Sequence, residues 1–201
     1  TPRSLPWAPS SLAYDPARAN FYAFDLDKAK SLIGQSGLSN IEFDWDYRAT
    51  VEPEFGTLGQ IMQSDLAKIG VKINVKPLET AAWTAVASST VHEFGNTMFA
   101  NCCTAMREAF ILPLISQGLN PTVNTPGYSD PKYTAVLDAV ATEPDEGKRK
   151  DLYRQYNDIL LDEAFSLAVA GRTQSHLISA KVKGTRYTMH ESVDLSGVWL
   201  D

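Results

Sequence analysis

Residues 41–47 alternate strictly between apolar and acidic side chains. Ile41, Phe43, Trp45 and Tyr47 fall on one side, and Glu42, Asp44 and Asp46 on the other. A period of two makes a strand with one buried face and one solvated acidic face. The period then changes. Pro53 takes a first helical position, and Phe55, Leu58, Ile61, Met62, Leu66 and Ile69 follow at helical spacing until Gly70. Val71, Ile73 and Val75 restore the period of two. A strand, a helix and a strand in about thirty residues fit a right-handed crossover between parallel neighbours. This unit restricts the chain to an α/β architecture more firmly than any other feature.

The flanks extend the pattern. Residues 1–24 carry Pro2, Pro6, Pro9 and Pro16 and read as an extended lead-in. Asp25 caps a short helix with Leu26, Ala29, Leu32 and Ile33 on one face, ended by Gly34 and Gly37. Residues 79–88 form a short helix around Trp83 and Val86. Residues 94–100 make a third strand, 101–104 the loop after it, and 110–115 an apolar turn. Pro121, Pro126 and Gly127 mark a long loop. Asp130-Pro131 opens a helix with Tyr133, Val136, Leu137 and Val140 as its stripe. Asp145 opens another, with Leu152, Tyr156, Ile159 and Leu160 inward and Lys148, Arg149, Lys150, Asp151, Arg154 and Asp158 in water. Residues 165–170, 177–182 and 193–200 complete the list as strands, broken at Gly184 and Gly197. The order predicts a mixed sheet flanked by helices.

Composition enters by exclusion. With 44% hydrophobic and 21% charged residues in 201, the chain is an ordinary globular one that buries roughly 70% of its unfolded surface. No apolar run reaches the roughly 18 residues of a membrane span. A net charge of −6 with scattered basic residues argues against non-specific binding of nucleic acid. The chain begins at Thr1 without a leader, as a processed protein or a piece of a longer one would.

Motifs for chemistry are sparse. The sequence has no phosphate-binding glycine loop, nucleophile elbow, HExxH or CxxC. His92, His176 and His190 lack metal-ligand spacing. Asp44 and Asp46 read as a solvated face. Cys102 and Cys103 are adjacent, with Cα atoms about 3.8 Å apart, below the usual disulfide range. They read as two small thiols ending a strand, as a strained bond, or as a ligand contact.

Taken in order, several segments resemble the C-terminal lobe of the family 5 extracellular solute-binding proteins, which serve ABC importers of dipeptides, oligopeptides and nickel. Tyr14-Asp15-Pro16 comes first, then Phe24-Asp25-Leu26-Asp27-Lys28-Ala29-Lys30-Ser31-Leu32-Ile33 with Gly37. Ile61-Met62-Gln63-Ser64-Asp65-Leu66-Ala67-Lys68-Ile69-Gly70-Val71-Lys72-Ile73 is next, with Pro77-Leu78-Glu79 and Trp83 behind it. Asn124, Gly127-Tyr128-Ser129-Asp130-Pro131-Lys132-Tyr133, Glu143-Pro144-Asp145 and Lys148-Arg149-Lys150-Asp151-Leu152-Tyr153 follow. Val182-Lys183-Gly184 and Val193-Asp194-Leu195-Ser196-Gly197-Val198-Trp199-Leu200 close the series.

The resemblance implies a periplasmic-binding-protein-like (type II) lobe, with 1–201 a single C-terminal lobe and 185–201 returning toward a hinge beside the lead-in. It implies the substrate-binding component of an ABC importer, periplasmic or extracellular and monomeric, holding a peptide or similar small solute in a cleft shared with an N-terminal lobe. Its partners would be the permease subunits. No cofactor, metal or catalytic residue is implied. Ligand contacts are expected at strand C-termini. Arg48 is similar in position to a family arginine that holds a ligand carboxylate in a two-pronged contact. Asn101, Cys102, Cys103 and Thr104 form the second loop. Thr104 stands where peptide binders carry an aspartate for the ligand amine, with Arg107 and Glu108 close behind and Glu108 as a substitute. Cutting away a partner lobe would expose an apolar patch among the lead-in, Trp7, Trp45 and 101–104. Two other readings are an enzyme with Cys102 or Cys103 as nucleophile, and a regulatory or scaffold domain on the same fold.

Overall fold

The structure, a computed structural model, describes residues 2–87, 97–100, 109, 113, 119–120, 128–171, 176–187 and 193–201. These fall into two compact units. One, the sheet unit, holds the described residues between 23 and 100; the other combines residues 2–22 with the described residues from 109 onward.

The sheet unit opens with α1 (Leu26–Ser36). The Asp25 carboxylate accepts from the Lys28 N–H at 2.8 Å, and Gly37 closes the helix at φ 70°. Gly34 lies inside the helix rather than at its end, and none of the predicted apolar face is buried. Then come β1 (Glu42–Arg48), α2 (Glu54–Ala67), β2 (Lys72–Leu78), α3 (Thr80–Ala87) and β3 (Thr97–Phe99). β1 pairs in parallel with β2, Glu42 opposite Lys72 through Arg48 opposite Leu78, and with β3 on its other side. The strand–helix–strand prediction therefore holds, with β1 in the centre. Pro53 is the N-cap of α2 rather than its first residue.

One face of β1 builds the core. Trp45 and Ile73 are buried against Leu58, Met62 and Leu66 of α2. The Trp45 indole N–H donates to the Phe55 carbonyl at 2.9 Å. α2 comes this close because it carries glycine where the aromatic strand crosses it. A Cβ on Gly59 would lie 2.6 Å from Trp45 Cδ1 and 3.1 Å from Val75 Cγ1. Gly59→Ala should therefore destabilise by about 1–2 kcal/mol, overpacking exceeding the gain in helix propensity. Gly34→Ala, with open space around it, should stabilise by up to about 1 kcal/mol. Thermal melts of the two variants moving in the same direction would refute this account.

In the second unit, α4 (Pro131–Thr142) and α5 (Glu146–Glu163) pack together, started by Asp130 and Asp145 as the sequence predicts. The buried line of α5 is Tyr153, Tyr156, Asn157, Leu160 and Leu161. Leu152 and Ile159 of the predicted stripe are only partly buried. The lead-in is not a loose extension: it makes turns and buries Leu5, Trp7 and Ala13 in this core. The Trp7 indole N–H donates to Asn157 Oδ1 at 2.5 Å, and Asn157 Nδ2 donates to the Ala13 carbonyl at 2.9 Å. Tyr133 gives its proton to the Leu119 carbonyl at 2.6 Å, so Tyr156, 2.7 Å away, donates to Tyr133.

The expected terminal strands are mostly irregular. Residues 165–170 contribute one bridge, Ala170 to Pro2. Among the described residues from 176 onward, the strands are β4 (Val182–Lys183), β5 (Arg186–Tyr187), β6 (Val193–Asp194) and β7 (Trp199–Leu200), as the antiparallel pairs β4–β7 and β5–β6. β7 pairs with β4. Gly184 at φ 74° explains the break: a Cβ there would sit 2.1 Å from the Gly197 carbonyl oxygen. The predicted turn over 110–115 and the loop from Pro121 to Gly127 fall mostly outside the described residues.

Candidate ligand-binding site

The C-terminal edge of the parallel sheet gathers Arg48 from β1, Leu78 from β2, and Phe99 and Ala100 from β3. Ligand recognition in open α/β sheets belongs at this edge. Arg48 is the last residue of β1 rather than part of a loop. Its fork is engaged internally. Nε donates to Glu52 Oε2 at 3.0 Å and Nη2 to Oε1 at 2.6 Å. The Glu52 side chain is 4% exposed and that of Arg48 19%. The chain turns back after the strand, the Glu52 N–H donating to the Arg48 carbonyl at 2.9 Å, and so delivers the carboxylate to the fork. The guanidinium also lies over the Trp83 indole, 4.5 Å from its centre. Trp83, on α3, meets Phe99 edge to face at 6.1 Å.

α3 therefore covers the face of β1 opposite α2, and this corrects the solvated-face expectation. Asp44 is partly exposed and satisfied by Lys76 and Asn74, whose donors hold its carboxyl below the usual range. Asp46 is 9% exposed, and its Oδ1 is buried without a hydrogen-bond partner. Burial, reinforced by the charge of Asp44 and only partly offset by Lys76, pushes its carboxyl up. The Trp83 indole N–H is likewise buried without an acceptor.

Asn101, Cys102, Cys103, Thr104 and Glu108, predicted to line the site with Arg48, lie outside the described residues. Trp7 and Trp45, expected on an exposed patch, are 1% and 4% exposed and belong to the two cores. Within the expected region Phe21 and Phe24 of the lead-in are exposed, and exposed apolar side chains elsewhere include Leu177, Leu195, Trp199 and Leu200. Sequence reasoning missed Glu52 and Trp83. An acid four residues after Arg48 was the only trace of the first. The second was read as the centre of a helix, with no indication of what it covers. Among the described residues there is no acidic, histidine or cysteine group that could hold a metal, and no helix is long and apolar enough to cross a membrane. A hollow of about 330 Å³ lined by Gln63, Gly70 and Asn74 lies at the opposite, N-terminal end of β2.

No protein-family model matches the chain. It is 25% identical over 167 residues to Heme-binding protein A of Haemophilus influenzae, covering 81% of this chain and 30% of that protein. It is 22% identical over 194 residues to the Probable ABC transporter periplasmic-binding protein SapA of Escherichia coli, covering 94% and 35%. The solved structure of HbpA2 from Haemophilus parasuis matches with a TM-score of 0.76 at 24% identity, over 100% of this chain and 40% of that one. The chain thus spans about a third of the length of the curated relatives it matches.

Proposed function

We propose, for a chain whose sequence relatives and fold neighbours are the family 5 solute-binding proteins of ABC importers, that these 201 residues are the C-terminal lobe of a two-lobed receptor. The observation that carries this reading is a match along nearly the whole chain to a fraction of each relative. A peptide or similar small solute is held in a cleft shared with an N-terminal lobe and released to permease subunits, outside the cytoplasm and without chemistry on the solute. Arg48 marks this lobe's side of the cleft, with Asn101, Cys102, Cys103, Thr104 and Glu108 on the neighbouring loop. Arg48 meets a ligand carboxylate only by sharing or exchanging Glu52, which makes the contact selective for strong acceptors.

The test is calorimetry with dipeptides, oligopeptides and heme. It is run on the 201 residues and on a longer protein carrying them behind a first lobe. If each lobe supplies half the contact, a micromolar solute at about −8 kcal/mol keeps about −4 kcal/mol with this chain alone, which is millimolar. Micromolar binding by the 201 residues would overturn the shared cleft.

A further inference from the structure

Among the described residues β2 is the outermost strand on its side of the parallel sheet. Its ladder to β1 decides which backbone groups are left over. The Lys72 N–H donates to the Ile41 carbonyl at 2.9 Å, and the Leu78 carbonyl accepts from the Ala49 N–H at 3.3 Å. In a parallel ladder every second residue turns both of its backbone groups toward a given neighbour. Lys72, Asn74, Lys76 and Leu78 therefore face β1, while Ile73, Val75 and Pro77 point their backbone groups off the sheet.

A bare edge of this kind is a template for another strand, and lysine commonly guards it by charge. Here both lysines of β2 are engaged by their own sheet, Lys72 by Glu42 at 2.7 Å and Lys76 by Asp44. A side chain from α2 occupies the edge instead. Gln63 reaches across, and its Nε2 donates to the Ile73 carbonyl at 2.6 Å. The hollow of about 330 Å³ described above lies at this point, lined by Gln63, Gly70, Ile73 and Asn74.

The edge is self-complementary in one antiparallel register. A second copy laid with Val75 opposite its twin sets the Ile73 carbonyl against Pro77, which has no N–H to give. With Ile73 opposite its twin, the two Ile73 residues exchange both of their bonds, and each Val75 N–H meets the Val71 carbonyl of the other copy. This arrangement closes around a two-fold axis. It needs the Ile73 carbonyl that Gln63 holds.

We infer that the outer edge of β2 is a pairing surface for a second copy of this chain, and that the Gln63 side chain is the strap that holds it shut. The pairing is independent of the solute cleft, which is proposed at the other end of the same sheet.

The test is sedimentation velocity on the 201-residue chain and on its variants Gln63→Ala and Gln63→Ser. Neither replacement reaches Ile73, and alanine favours the helix. The unaltered chain should sediment as a monomer at every concentration. Each variant should move toward the mass of two copies, with a midpoint on the order of 100 µM. Amide exchange followed by NMR locates the contact: the Ile73 and Val75 N–H groups of the variants should exchange about tenfold more slowly above the midpoint than below it. Val75→Pro added to Gln63→Ala removes a donor that β1 does not use, and should weaken association about tenfold or more. Variants that fold, by circular dichroism, and stay monomeric to about 1 mM would overturn the inference. So would association that leaves the Ile73 and Val75 amides unchanged, pairing of the unaltered chain through these same amides, or full association of the folded double variant. If the double variant does not fold, the amide exchange of Gln63→Ala and Gln63→Ser decides.

Discussion

Asn157→Leu should cost about 2–5 kcal/mol, measured as the fall in unfolding free energy in urea. Asn157 is 0% exposed and holds two groups at once, the Trp7 indole N–H and the Ala13 carbonyl. Leucine fills similar space and satisfies neither, so two buried polar groups each lose their partner at about 1–3 kcal/mol. Asn157→Asp should not rescue, since it keeps an acceptor for Trp7 but buries a charge and gives Ala13 nothing. A loss below about 1 kcal/mol in Asn157→Leu would show that water reaches these groups. The aromatic stack is the control. Tyr128 lies on Phe165 at 4.0 Å and 5°, and its near-ultraviolet signal should persist in Asn157→Leu until the transition itself.

Arg48→Ala should destabilise the sheet unit by about 3–5 kcal/mol, and Glu52→Ala by clearly less. The asymmetry comes from exposure. Removing Arg48 strands a carboxylate whose side chain is 4% exposed, whereas removing Glu52 leaves a cation 19% exposed that still rests on the Trp83 indole. The measure is urea unfolding of each single variant and of the double variant. The double variant should fall well short of the sum, because without Glu52 there is no stranded charge for Arg48 to compensate. Equal losses in the two single variants would place the pair in water rather than in the fold.

Most of the strand–helix–strand unit was readable because its residues change period where the backbone changes conformation. The alternation through Trp45 and Tyr47 named the face that α2 covers, and Asp25, Asp130 and Asp145 each cap the helix they precede. Alternation tells which residues share a face, however, and not what lies over the second face. Asp46 was therefore misplaced, and what Trp83 covers was not foreseen: acidic residues at every other position read as solvent contacts until a helix is laid across them. Asn157 escaped for a related reason. A polar residue on an inward line is invisible to a hydrophobic pattern, and its partners lie at the other end of the chain. The terminal strands were over-read in length, although the breaks at Gly184 and Gly197 fall where predicted, at glycines whose backbones approach closely. Arg48 was placed at the correct edge, but its partner Glu52 was not foreseen, because the turn that brings the two together has no sequence signature.

The link between Trp7 and Asn157 spans 150 positions, and this sets a timetable for the chain as it is made. At roughly 5–20 residues per second, the ribosome completes Asn157 about 8 to 30 s after Trp7. The whole sheet unit lies between them and is synthesised within that interval, with all its strand pairings available to it. For most of that time Leu5, Trp7 and Ala13 lack α4 and α5, the helices they pack with. Closing a loop of this length costs about 4 kcal/mol of chain entropy, which the pairing of Trp7 with α5 must overcome in a single late step. The newly made segment around Trp7 is thus a stretch of apolar side chains waiting for a surface, open to chaperones and to neighbouring chains until α5 emerges.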